Sequence, residues 1–367
     1  MIIKNGLVWK ETGEFIEHDL YIDDEKHIIT CQGGCTEPTI DASGLYVIPG
    51  LVDIHIHGAV GCDFSDGDAK GLSKIAEYLH SCGVTSFCPT SMTLPEEQLL
   101  KAFASINNVI DDDKHAHIAG IHMEGPFLSP EKKGAQKEIY LKNPDIDMFN
   151  HLQNASGDNV RIITIAPELP GAMDFIREFH SGLTISLGHS CASYDIASEA
   201  FEAGADHITH LFNAMPPLHH RNPGIIGAAS DAQSTMAEII CDGIHIHPSV
   251  IRNTFRMFGK DRMILISDAM RATGMEDGEY ELGGQPVHKK GRFATLKDGT
   301  LAGSATNLFD CMKNAVEFGI PLAVAVKAAT YNPAKSIGLE KNIGSLAAGA
   351  RADVLLLDHD LNIVKII

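Results

Sequence analysis

At 367 residues, 44% of them apolar and 21% charged, the chain can bury a substantial core and is too hydrophobic to remain disordered. Its formal net charge of −19 opposes phosphate backbones and anionic lipid surfaces, so neither nucleic acid nor a membrane is an expected partner. A small anionic ligand would need a local cation to hold it.

Met1 to Lys10 shows no basic start followed by an apolar leader, and no apolar run reaches the roughly 20 residues that span a bilayer. A cytoplasmic location is therefore expected. From Met1 to Val47 short strands alternate with turns (Ile2-Ile3, Gly6 to Trp9, Asp19 to Ile22, His27 to Ile29, then a Gly33-Gly34 turn), with no helical period. Eight apolar, β-branched runs follow, at 51–57, 85–91, 118–124, 160–166, 183–189, 207–212, 237–245 and 263–268. Amphipathic patterns separate them: Ala69 to His80, Pro95 to Ile110, Met173 to Phe179, Tyr194 to Ala203 and Pro248 to Phe258 carry apolar residues at three and four spacing. Strands alternating with helices mark a parallel sheet covered by helices, and eight of them predict an α/β fold with a TIM-like (β/α)8 barrel over residues 49–343. An open doubly wound sheet is the alternative. It carries a glycine-rich turn after its first strand, where this chain has Asp53-Ile54-His55-Ile56-His57-Gly58.

After the eighth run, Arg271 to Ser304 holds the turn signals Gly283-Gly284, Asp298-Gly299 and Ala302-Gly303-Ser304, which predict a hairpin excursion over the barrel mouth. Helical patterns at Asn307 to Phe318 and Pro321 to Ala329 lead to Gly344–Ile367, whose texture repeats that of the N-terminus. Residues 1–48 plus 344–367 are thus expected to form one small β-sandwich domain. The eight cysteines are scattered, several within apolar runs such as Phe87-Cys88-Pro89, and read as reduced thiols. Cys31 and Cys35 are spaced for a metal, but no second pair follows, and a glycine loop in a β region is the simpler account.

In such barrels, chemistry projects from the C-terminal strand ends. Run one ends in His55 and His57, run three in Glu124, run five in His189, run six in His210, run seven in Asp242 and His245, and run eight in Asp268. His55 and His57, two apart on a strand, point the same way and can grip one ion. A single strand-end histidine is more often a hydrogen-bonded structural residue. A whole ring of such groups would cost several kcal/mol to bury unpaired, and a metal removes that cost. Imidazole and carboxylate without thiolate favour zinc, iron, cobalt or manganese over calcium. A divalent ion acidifies water and polarises a carbonyl while a nearby carboxylate shuttles the proton; Asp268, alone at the end of run eight, is the candidate carboxylate.

Pro49-Gly50-Leu51-Val52-Asp53-Ile54-His55-Ile56-His57-Gly58 resembles the first-strand motif of the amidohydrolase superfamily. Further motifs, His122-Met123-Glu124-Gly125-Pro126-Phe127, Leu187-Gly188-His189-Ser190, Thr209-His210-Leu211-Phe212-Asn213-Ala214-Met215, Arg221-Asn222-Pro223-Gly224, Asp242-Gly243-Ile244-His245 and Ser267-Asp268-Ala269, resemble its branch acting on N-acetylglucosamine 6-phosphate, nearly end to end. The resemblance implies a deacetylase in which Glu124, His189 and His210 bind the principal metal, zinc foremost, and Asp268 is the acid/base. It implies that His245 polarises the acetyl carbonyl. It also implies substrate contacts from Ala135, Gln136, Asn213, Ala214, Arg221, Leu301, Ala302 and Gly303, with Arg221 on the phosphate, and a homodimer. His55 and His57 would form an optional second metal site. Two departures stand out: no run ends in the lysine that bridges two metals in many members, which leaves Glu124 as the bridge, and Gln136 stands where some members have His. The galactosamine epimer, a cyclic amide and a non-catalytic scaffold are the competing expectations.

Overall fold

The computed structural model describes residues 1–23, 27–30 and 38–367; the Gly33-Gly34 turn and the Cys31 and Cys35 pair lie outside the described residues. Among the described residues five strands come first: β1 (Ile2–Lys10), β2 (Glu14–Asp23), β3 (Ile28–Thr30), β4 (Thr39–Asp41) and β5 (Tyr46–Pro49). Next are β6 (Leu51–Ile56), the small hairpin β7 (Gly58–Ala59) and β8 (Cys62–Asp63), α1 (Ala69–Ser81), β9 (Val84–Ser91), α2 (Glu96–Ser105), β10 (His117–Ile118) and β11 (Ile121–Glu124). The chain continues with α3 (Ile146–Ala155), β12 (Val160–Ile165), α4 (Ala172–Phe179), β13 (Thr184–Leu187), α5 (Tyr194–Ala203), β14 (His207–Ile208), α6 (Gly224–Asp231) and β15 (Met236–Ile240). Then come α7 (Pro248–Phe258), β16 (Met263–Ile266), β17 (Gly278–Leu282), β18 (Gln285–Lys290), β19 (Phe293–Thr295), α8 (Leu308–Glu317), α9 (Leu322–Ala329), α10 (Tyr331–Ser336), β20 (Val354–Leu357) and β21 (Ile363–Ile366).

Strands β6, β9 and β11 to β16 form the barrel, each paired parallel to its neighbours around the ring. Closure runs from the end of β16 to β6: Ile56 bridges Ala269, and the Asp268 N–H donates to His55 O at 2.9 Å. The third run breaks at Gly120, whose φ of +152° only glycine adopts readily, into β10 and β11. Helices α3, α6 and the six-residue α10 are not among those expected from the apolar period. Helix α3 is short but starts on an Asp145 side chain that accepts from Met148 N–H, while α6 is buried along most of its length and so shows no polar face.

The terminal strands join in one seven-stranded sheet, with β1 at its centre and β20 bonded to β5. It packs against its own core of Ile3, Val8, Leu20, Ile22, Val47, Val354 and Leu356. Val8 and Trp9 are both fully buried, one in that core and the other against the barrel's helices, as alternation along a strand requires. Trp9 donates from Nε1 to Ala323 O on α9 at 3.0 Å. Strands β17 to β19 form the antiparallel excursion after the eighth strand. The six cysteines among the described residues are free thiols. No helix of the described residues is long and apolar enough to cross a membrane.

Trp9 is the only tryptophan, so its fluorescence reports on the junction between sheet and barrel. Trp9→Ala is expected to cost about 3–5 kcal/mol, read from urea unfolding followed by far-ultraviolet circular dichroism.

Candidate active site

Four barrel strands end alike. The last paired residues Leu187, Ile208, Ile240 and Ile266 are each followed, two positions on, by His189, His210, Asp242 and Asp268. His189, His210 and Asp268 take left-handed backbone, with φ of 46°, 27° and 48°, a conformation that costs a non-glycine residue roughly 1–2 kcal/mol. Hydrogen bonds hold them there: Ser129 N–H donates to His189 O at 2.9 Å, Asn213 N–H to His210 O at 3.0 Å, and Ser304 N–H to Asp268 O at 2.7 Å. At Gly188 a Cβ would lie 2.7 Å from Thr209 Cβ, so only glycine lets β13 pack this close before turning.

The side chains converge in two sets, Glu124 with His189 and His210, and His55 with His57 and Asp268, and Glu124 also stands beside the second. In the first, His189 Nε2 and His210 Nε2 lie 3.1 and 3.0 Å from Glu124 Oε1 and 3.0 Å from each other. In the second, Asp268 Oδ1 lies 3.6 Å from His55 Nε2 and 3.2 Å from His57 Nε2, with Glu124 Oε1 3.5 Å from His55 Nε2 and Glu124 Oε2 3.5 Å from His57 Nε2. Donors bound tetrahedrally to one ion stand about 3.4 Å apart, given metal–ligand bonds near 2.1 Å. Three atoms mutually about 3 Å apart, two of them imidazole nitrogens, cannot all be satisfied by hydrogen bonds to one another. A cation at their centre takes all three lone pairs. His55 Nε2, moreover, is buried with no hydrogen-bond partner. The residues therefore fit a divalent metal at the first set, and the second set has the donor types and spacing for another.

A polar layer lies beneath. Glu238 accepts from His55 Nδ1 at 2.9 Å, from His207 Nε2 at 3.2 Å and from the His210 N–H at 3.0 Å, which turns the His55 Nε2 lone pair toward Glu124 and Asp268. Burial pushes the Glu238 carboxyl up, but the His55 charge and the bonds from His207 and His55 outweigh it and hold the group well below the usual carboxylate range. His55 is opposed by burial yet raised to about 10 by Glu238 and Glu124: without a metal, a proton supplies the positive charge these carboxylates require. His122 donates from Nδ1 to Ile54 O at 3.0 Å and accepts at Nε2 from Thr164 Oγ1 at 2.7 Å. Burial and the His55 charge push it down to about 3, so it stays neutral, with no lone pair left for an ion. Asp242 accepts from His245 Nδ1 at 2.7 Å and from the Ile244 and His245 N–H groups at 2.8 and 2.9 Å. Burial lowers His245, but the Asp242 bond and charge raise it overall, which favours an Nε2–H that can donate.

A cavity of about 370 Å³ opens above both sets, lined by His57, Glu124, Ala135, Gln136, His189, His210, Asn213, Ala214, His245, Asp268, Leu301 and Gly303. Its size suits a small-molecule ligand. Leu282, Thr300 and Leu301 bring the β17 to β19 excursion to its rim. Three of the expected residues sit elsewhere. His55 lies below the floor, fully buried. Ala302 is buried and its N–H donates to Ala294 O. Arg221 stands on an exposed turn, donates from Nη1 to His220 Nε2 at 3.0 Å, and borders a separate cavity beside Cys191 and Tyr194. Glu238, His122 and His207 escaped the strand-end pattern because they lie inside their runs; a lone acid in Ala237-Glu238-Ile239 was the available signal.

A model described as the amidohydrolase family matches residues 46–367. An N-acetylglucosamine-6-phosphate deacetylase of Lysinibacillus sphaericus is 36% identical over 369 residues, covering 98% of this chain and 94% of its own length. The protein of that name from Homo sapiens is 35% identical over 97% of this chain and 88% of its own. Among solved structures, N-acetylglucosamine-6-phosphate deacetylase from Pasteurella multocida superposes with a TM-score of 0.92 at 31% identity, covering 100% of this chain and 97% of that one. A mutant of the Mycobacterium smegmatis enzyme of that name, in complex with N-acetyl-D-glucosamine-6-phosphate, gives a TM-score of 0.90 at 32% identity, covering 100% and 97%.

Glu238→Ala would leave His55 and His207 facing a buried void with no acceptor. Removing one partner of such a buried ionic network is expected to cost about 3–5 kcal/mol, read as a lower midpoint in urea unfolding of the metal-free protein.

Proposed function

The chain belongs to the amidohydrolase family, and we propose that it hydrolyses the acetamide of N-acetylglucosamine 6-phosphate to glucosamine 6-phosphate and acetate. The observation that carries this is the convergence of Glu124, His189 and His210 beside Asp268 at the floor of a cavity that His245 also lines, in a chain 36% identical to a deacetylase of that name. Glu124, His189 and His210 hold the principal divalent ion, taken as zinc, with His55, His57 and Asp268 able to hold a second. A bound divalent ion acidifies water and polarises the acetyl carbonyl.

Asp268 takes the proton from the attacking water, whose hydroxyl adds to the acetyl carbon, and returns that proton to the sugar nitrogen as the C–N bond breaks. His245, oriented by Asp242, donates from Nε2 to the carbonyl oxygen as negative charge develops there. Ala135, Asn213, Ala214, Leu301 and Gly303 line the space for the sugar. Arg221 is assigned to the phosphate, the anion that an acidic chain must meet with a local cation. Since it lies outside its own chain's cavity, its placement favours a homodimer in which the turn of one copy serves the other's substrate.

Asp268→Asn should lower kcat by about 10²–10⁴-fold with the sugar phosphate. Dialysis against a chelator should abolish turnover, and zinc should restore it. In wild type, equal kcat/KM for the phosphorylated and free sugars would remove the phosphate from the proposal; a faster reaction with the galacto 6-phosphate would reassign the substrate. Mixed Arg221→Ala and Asp268→Asn subunits should recover activity that neither homodimer shows, and no recovery would place Arg221 with its own chain's substrate.

A further inference from the structure

Gln136 is 2% exposed although it lines the cavity, and both ends of its amide are engaged. Oε1 accepts from the Thr93 N–H at 2.7 Å, and Nε2 donates to Glu124 Oε2 at 2.7 Å. The amide orientation follows from its neighbours: the reverse would set NH₂ against an N–H and an oxygen against a carboxylate. The second Nε2–H is directed at Met92 Sδ, 3.7 Å away, so both amide protons are turned to the protein. Thr93 stands two residues beyond β9 and Glu124 closes β11, so the amide spans two adjacent strands. Glu124 Oε2 is engaged by that amide, and Oε1 is the oxygen that stands between His189 and His210, 3.1 and 3.0 Å from their ring nitrogens.

We propose that Gln136 is the positioning residue of Glu124: by tying one carboxylate oxygen to the Thr93 backbone it presets the other as the ligand shared with His189 and His210. This rests on those three residues binding the metal. A glutamate has three rotatable side-chain bonds, and locking them before the ion arrives removes an ordering cost from binding. The amide also occupies a lone pair of Oε2, the oxygen nearer His57, so the two oxygens are unequal donors and the His189 and His210 side is the stronger site. The position therefore serves the metal rather than the sugar, whether or not a histidine there contacts substrate in other members of the family.

The test uses the full-length protein, stripped of metal and titrated with zinc against a competing chelator, for wild type, Gln136→Met, which keeps the bulk and cannot donate, and Gln136→Ala. The Kd of the tighter zinc should rise about 10–100-fold in both variants, the range typical for loss of an outer partner of a metal ligand. The visible absorption bands of the cobalt-loaded protein, which follow ligand geometry, should shift in both. Unchanged Kd and unchanged cobalt bands in either folded variant would overturn the proposal. A wild type that binds neither zinc nor cobalt would instead remove the metal assignment on which it rests. Raised KM for the sugar phosphate at full metal loading, with wild-type zinc affinity, would return Gln136 to the role of a substrate contact.

Discussion

Three carboxylates, Glu124, Glu238 and Asp268, are buried within reach of the same imidazoles, and the cost of keeping them ionised there governs the rest of the barrel's polar interior. Moving a carboxylate from water into a protein interior costs several kcal/mol even after relaxation, so positive charge has to be supplied on the spot. Proton and metal are alternative suppliers: His55 is raised to about 10 in the absence of an ion, and a divalent cation provides the same compensation with two charges and fixed ligand directions. Glu238 commits one face of His55 to the interior and leaves the other aimed at the mouth. An open sheet would not bring β6, β11, β13, β14 and β16 around one point. The closed ring does, and the Asp268 N–H to His55 O bond that seals it also joins two residues of the second donor set.

The part of this site that was legible in the sequence is the part that obeys the strand period. Leu187-Gly188-His189, Ile208-Thr209-His210 and Ile266-Ser267-Asp268 each announce the end of an apolar run and a polar residue just beyond it, and the parallel ladder then fixes where that residue goes. The sheet made by both termini was visible for a related reason, since the same short-strand texture appears at 1–47 and again near 354–366. Residues that act across the interior carry no such mark. Glu238 is one acid in an apolar strand, and its role depends on His55, 183 residues away in sequence. Gln136 binds Thr93 and Glu124 across gaps of 43 and 12 residues, a geometry no local pattern encodes. Helix α6 was missed because a helix buried on all sides has no amphipathic period to detect.

Strained backbone and hydrogen bonding divide the work of aiming the strand-end side chains. A residue in the left-handed region turns the chain out of the strand over a single position, and His189, His210 and Asp268 all use it. The strain persists only because neighbouring segments are bonded to these turns, which makes those segments part of the site even where they touch no ligand atom. Glu168 is an example: it accepts from Ser190 Oγ at 2.7 Å and from the Cys191 N–H at 2.5 Å, immediately after His189.

The same kind of bonding links His189, the loop of Ala135 and Gln136, and the rim. His189 donates from Nδ1 to Lys132 O at 2.8 Å, so the loop that carries Ala135 and Gln136 also sets the tautomer and orientation of the His189 imidazole. Gln285, at the start of β18, donates to Ala135 O, tying the β17 to β19 excursion to that loop. The excursion is therefore bonded through the Ala135 carbonyl to the segment that orients His189 and, through Gln136, Glu124. The rim, the cavity-lining loop and the Glu124 and His189 side chains are thus one bonded unit, and a substitution that loosens the rim loosens the support of both side chains.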